Sequence, residues 1–105
     1  MKENEIRKLL RASLPDNSCV WFPARVMYNQ NDIFGCYDCL VYMPAKYPSE
    51  KAKIYFIQIT TLTNISHRVK KIQLVFANLK KPIPDNSFVY GWDKEKYKFK
   101  IVQVF

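Results

Sequence analysis

The chain has 105 residues, the size of one domain, and is 49% hydrophobic and 15% aromatic, which excludes a disordered tail. With only 2 Gly it has no glycine-rich loop to cradle a nucleotide's phosphates, so dinucleotide-binding and P-loop chemistry drop out. Lys and Arg number 17 against 9 Asp and Glu, a net charge of +8 that favours polyanions, nucleic acid first, through counterion release. The same numbers suit a merely lysine-rich surface, so the placement of the charges has to decide.

From residue 3 to 13, Ile6, Leu9, Leu10 and the run Ala12-Ser13-Leu14 form one helical stripe with Arg7, Lys8 and Arg11 opposite, and Pro15 ends it. Such a charged amphipathic start is unlike a signal peptide, and no stretch nears the roughly 18 apolar residues of a membrane span. The expectation is an intracellular, cytoplasmic protein of a cell, virus or mobile element, with no membrane partner. A turn at Pro15-Asp16-Asn17-Ser18 leads into a first strand region, Cys19 to Phe22 and Arg25 to Tyr28, interrupted at Pro23. Asn29-Gln30-Asn31-Asp32 has turn chemistry, and the second strand, Cys36 to Met43, follows closely enough to pair antiparallel with the first.

After a polar, lysine-rich loop, Ile54 to Thr61 is apolar on both faces until its end, the mark of a central strand. Apolar residues at 65, 69, 72, 76 and 79 then predict a second helix ending near Leu79, with Pro82 and Pro84 beyond and His67, Arg68, Lys70 and Lys71 on its other face. Phe88 to Trp92 and Tyr97 to Phe105, joined by Asp93-Lys94-Glu95-Lys96, read as a hairpin with Lys96, Lys98 and Lys100 outward. Lysines there also guard an edge strand against aggregation. The whole is a single α/β domain over residues 1–105, a mixed central sheet flanked by helices in the order α-β-β-β-α-β-β.

Three cysteines, Cys19, Cys36 and Cys39, are an odd number and make a disulfide framework improbable. A zinc site built from them and His67 is disfavoured, because Cys36 and Cys39 lie three apart on a strand and face opposite sides; small buried thiols are the plainer reading.

Asp38 stands at the mouth of the second strand, while Gln58 and Thr60, two apart on the third, project from one face. A carboxylate between Cys36-Tyr37 and Cys39-Leu40-Val41 is costly to bury without a partner, so a shared site is the reading. The run Asn31 to Val41, then Tyr55 to Thr61, then the basic segment Asn64 to Ile72 resembles the active-site run of the PD-(D/E)XK nuclease superfamily, which includes archaeal Holliday-junction resolvases and restriction-type endonucleases. The resemblance spans residues 3 to 79 and implies a restriction-endonuclease-like fold.

It further implies that Asp38 is the first metal-binding carboxylate, that Gln58 stands at the second acidic position, and that Thr60 stands where the family has its catalytic lysine. An amide oxygen can ligate Mg²⁺ or Mn²⁺ without charge, and Thr60 can order a water but supplies no positive charge. Asp38, Gln58 and the Ile59 carbonyl are the implied metal set. Arg25, Arg68 and Lys71 are candidates for the missing cation. Asp32 is either an accessory ligand or a turn residue, and Glu5 either the helix-borne glutamate of junction resolvases or a solvated charge. His67, Arg68, Lys70 and Lys71 are the candidate phosphate contacts, His67 with no part in catalysis.

Three functions follow as expectations. The first is a homodimeric, Mg²⁺- or Mn²⁺-dependent endonuclease on duplex or branched DNA, since one domain covers one scissile phosphate. The second is a DNA-binding domain of the same fold that no longer cuts. The third is a protein-interaction module whose Tyr- and Phe-rich strands dock a partner.

Overall fold

The computed structural model describes residues 3–26, 29, 30, 32–45 and 47–105, with side chains from residue 4 onward except at 25, 26, 29 and 30. In chain order these form α1 (Glu3–Ser13), β1 (Cys19–Trp21), β2 (Arg25–Val26), β3 (Asn29–Gln30), β4 (Cys39–Met43), β5 (Lys53–Thr61), a short 3-10 turn (Leu62–Asn64), α2 (Ile65–Leu79), β6 (Ser87–Asp93) and β7 (Lys98–Gln103). Five strands make one sheet in the order β1-β4-β5-β6-β7. The first three run antiparallel to their neighbours, β6 is parallel to β5, and β7 returns antiparallel to β6. The molecule is thus a small α/β domain with a mixed five-stranded sheet and two helices. Among the described residues no helix is long and apolar enough to cross a membrane.

β5 is central because both its faces are paid for by a helix. Ile57 and Ile59 pack with Cys39 and Val41 against Ile6 and Leu10 of α1. Phe56 turns the other way, into the cluster of Cys36, Tyr37 and Val89 with Ile65, Ile72 and Phe76 of α2. Leu10 and Ile72 are both 0% exposed, and each such side chain contributes about 2 kcal/mol of transfer free energy. α2 stops where Lys80 adopts a left-handed conformation, φ 55°, which lets its N–H reach Ala77 O and the Lys81 N–H reach Phe76 O. Pro82 follows and cannot continue the helix.

Two expectations need correction. Arg25–Val26 does not prolong the first strand; it pairs with Asn29–Gln30 as a separate two-stranded ribbon, so the stretch read as a turn begins as a strand. Pro23 has no N–H for the β1–β4 ladder, and the chain leaves the sheet there. Residues 27, 28 and 31 of that region lie outside the described residues. The second strand also begins three residues later than expected, at Cys39. Before it, Ile33 and Tyr37 exchange backbone hydrogen bonds of 2.8 and 3.0 Å around a tight loop in which Phe34 and Gly35 have φ of 54° and 76°.

α2 lies close against the sheet at Gly91, which pairs with Thr60 across β5 and β6. A Cβ at Gly91 would meet the Ile65 side chain directly and lie 3.3 Å from Thr61 O. Gly91→Ala is therefore expected to cost about 1–3 kcal/mol through overpacking. Chemical denaturation should show the loss, with part of it recovered in the Gly91→Ala, Ile65→Val double variant.

Candidate functional site

Asp38 immediately precedes β4, whose first pair is Cys39 with Ile57, and Gln58 follows Ile57 on β5. Asp38, Gln58 and Thr60 are all buried, at 7%, 4% and 6% exposure. The Gln58 side-chain amide donates through Nε2 to Asp38 Oδ2 at 2.7 Å and to the Ile59 carbonyl at 3.1 Å. The Ile59 N–H donates to the same Oδ2 at 2.7 Å. A further backbone bond runs from the Asp38 N–H to Ile57 O at 2.9 Å. Short bonds to an ionised carboxylate are among the stronger hydrogen bonds, about 1.5–3 kcal/mol each. They stabilise a charge that burial would otherwise penalise.

The direction of the Gln58 amide follows from its neighbours. Both groups facing Nε2 are oxygens that can only accept, so a reversed amide would set oxygen against oxygen. Its Oε1 is buried with no hydrogen-bond partner among the described residues. The NH₂ group thus stands between the Asp38 carboxylate and the Ile59 carbonyl, two of the three oxygens implied as metal ligands.

These residues do not fit Mg²⁺ or Mn²⁺ as they stand. Hard dications need several oxygen donors with enough negative charge among them, and the set offers one carboxylate with an amide nitrogen turned toward it. Among the described residues no group of three His, Cys, Asp or Glu side chains gathers anywhere that could hold a metal.

The other candidates separate. Glu5 is exposed on α1, the helix that packs on the face of the sheet opposite α2. The Asp32 backbone carbonyl accepts the Gly35 N–H at 3.1 Å, while its carboxylate, read from the sequence as a ligand or a cap of its own loop, lies 3.9 Å from Lys71 Nζ, a partly exposed ion pair of little energetic weight. Lys71 is therefore turned toward Asp32. His67 and Lys70 are exposed, and Arg68 is half-buried, its Nε without a hydrogen-bond partner among the described residues. Arg25 lies on β2, and its side chain falls outside the described residues. Thr60 shares the face of Gln58 and brings no charge to it.

Two arrangements escaped the sequence. The fully buried Tyr37 and Ser87 share a hydroxyl hydrogen bond of 2.6 Å, which ties the loop before β4 to the start of β6. Arg7 and Arg11 sit over the Phe22 ring at 4.6 and 5.2 Å, so part of the basic face of α1 is occupied by an aromatic. Neither has a local pattern; each pairs residues brought together only by the sheet.

Cys36 and Cys39 enter the clusters on opposite faces, so they cannot share a zinc ion, and Cys19 is exposed. Burial pushes the Cys36 thiol up to about 11 and the Cys39 thiol up to about 12. Comparison with protein-family models, curated proteins and solved structures finds no match for this chain.

Because the raised values keep both buried thiols protonated, iodoacetamide at pH 8 should label Cys19 alone in the folded protein and all three cysteines after denaturation; mass spectrometry reads the difference. Gln58→Glu replaces the donating NH₂ with a second carboxylate beside Asp38. It is expected to lose about 3 kcal/mol at neutral pH, and its melting temperature should rise with added Mn²⁺. The unaltered protein should show no Mn²⁺-dependent shift.

Proposed function

We propose that this chain is a DNA-binding domain of nuclease-like fold that has exchanged metal-dependent strand scission for a hydrogen-bonded brace. The observation that carries the reading is the Gln58 NH₂ held between Asp38 Oδ2 and the Ile59 carbonyl. In a nuclease of the kind the sequence resembles, a divalent cation would draw those oxygens together; here a neutral donor does so with no change of net charge. The element order, an antiparallel run of three strands followed by a crossover helix and a parallel strand, supports the restriction-endonuclease-like fold.

DNA as the partner is supported by the net charge of +8 and by the surface of α2, which exposes Lys70 and the His67 imidazole with Arg68 beside them. Phosphate contacts of that kind position a nucleic acid without reading its sequence. Cleavage of duplex or branched DNA, the other reading of the same fold, would need the Gln58 oxygen, not its NH₂, turned toward the Asp38 carboxylate's metal side and a cation brought to Thr60 from elsewhere in the chain. The reason for a homodimer, one scissile phosphate per domain, lapses with cleavage.

Duplex and junction DNA should bind with an affinity that falls at least tenfold between about 50 and 200 mM salt, and Lys70→Ala should lower the salt slope by about 1. Supercoiled plasmid should remain uncut in Mg²⁺ and Mn²⁺. Nicking that requires Mn²⁺ and disappears in Asp38→Asn would overturn the non-cutting reading, and salt-insensitive or absent binding would overturn the choice of DNA.

A further inference from the structure

α2 does not cover the full width of its face of the sheet. It packs on β5 and β6, and the loop before β4 fills the adjoining space with Tyr37 and Phe34 against Phe56 and Phe76. Beyond that loop, on the same face, two cross-strand rows continue toward the β1 edge: Trp21–Leu40–Phe56 and Cys19–Tyr42–Ile54. Much of them is open to solvent. Trp21 is 56% exposed, Tyr42 44% and Ile54 47%, with Phe34 at the border 58% exposed. Single exposed apolar side chains need no explanation, but adjoining ones on neighbouring strands form a continuous patch.

The chemistry of the patch narrows what can cover it. Strands are about 4.8 Å apart, so the rings and aliphatic groups make a flat floor, and no residue of the two rows is charged. The acid of the bordering loop, Asp32, lies 3.9 Å from the Lys71 ammonium, which offsets its charge. The exposed Lys80 and Lys81 end α2 just past Phe76, whose ring meets Phe34 at 6.2 Å. A second copy of the chain would cover the rings but would press two molecules of net charge +8 together. Single-stranded DNA supplies both matching parts, flat bases for the floor and a polyanionic backbone for the basic surroundings.

We propose that this open face is a stacking platform for the unpaired bases of single-stranded DNA, with Trp21 and Tyr42 as its ring contacts. The proposal rests on the DNA reading above and narrows it from duplex to single strand. The platform adjoins the braced pair in the sheet, because Leu40 and Tyr42 share one face of β4 and Leu40 pairs with Phe56, two residues before Gln58.

The full chain and its variants are titrated into fluorescein-labelled oligothymidylate and into a labelled duplex at low salt, following anisotropy, and tryptophan fluorescence is followed in parallel on the unaltered protein. Trp92 is only 7% exposed, so quenching by the single strand reports Trp21. Trp21→Ala and Tyr42→Ala should each lower the ratio of single-strand to duplex affinity about tenfold, and Trp21→Phe should restore most of it. Thermal melting near that of the unaltered protein shows that the variants fold. An unchanged affinity ratio in Trp21→Ala overturns the proposal, as does a dimer in sedimentation that dissociates on the same substitution. Duplex binding with no affinity for oligothymidylate removes the platform and leaves the DNA reading standing; failure to bind either form removes both.

Discussion

A carboxylate buried inside a sheet has to be satisfied by groups already there, and at Asp38 that requirement organises much of what surrounds it. Two donors from adjacent positions on β5, the Gln58 side chain and the Ile59 N–H, converge on a single oxygen. This fixes the point at which the chain joins the sheet, and β4 starts one residue later. The loop before it is then obliged to close tightly, with Phe34 and Gly35 in left-handed conformations, and to tuck Tyr37 beneath α2. The Tyr37 hydroxyl meets Ser87 at the head of β6, so the brace and this bond together link β4, β5 and β6. Satisfied polar networks of this kind specify one arrangement of a core.

The two helices were legible because their signals are local. Apolar spacing set the buried stripes, and Pro15, Pro82 and Pro84 marked the ends, so Glu3–Ser13 and Ile65–Leu79 have the bounds their sequence implies. The central position of β5 and the terminal hairpin followed from apolar runs and a polar turn. What escaped was set by pairing. Asn29 and Gln30 have turn chemistry, yet they form a strand because Arg25 and Val26 lie opposite. The start of β4 depends on a positive φ at Phe34, a residue whose side chain gives no hint of it.

The site shows the same division. That Gln58 and Thr60 share a face could be read from their spacing on one strand, and Asp38, placed at the mouth of the neighbouring strand, meets Gln58 at 2.7 Å. Which end of the amide faces the carboxylate could not, since glutamine offers both an acceptor and two donors. The choice lies with the Ile59 carbonyl, an oxygen that every residue except its own neighbours in space would leave unseen. In the same way, the charges of α2 could be counted, but the division between Lys71, drawn to Asp32, and the exposed Lys70 is a matter of where the loop before β4 lies.

The parallel register of β5 and β6 also bears on how the chain reaches this state. β1, β4 and β5 pair with neighbours along a simple antiparallel path, and β6 with β7 across a short turn, so both parts can form from contacts close in sequence. Joining them requires Phe56 to find Ser87 with the whole of α2 in between, and loop-closure entropy opposes that search until the helix docks. Of the strand pairs in the five-stranded sheet, β5–β6 therefore carries the largest loop-closure cost, and the helix that spans it is what offsets that cost by docking on both strands.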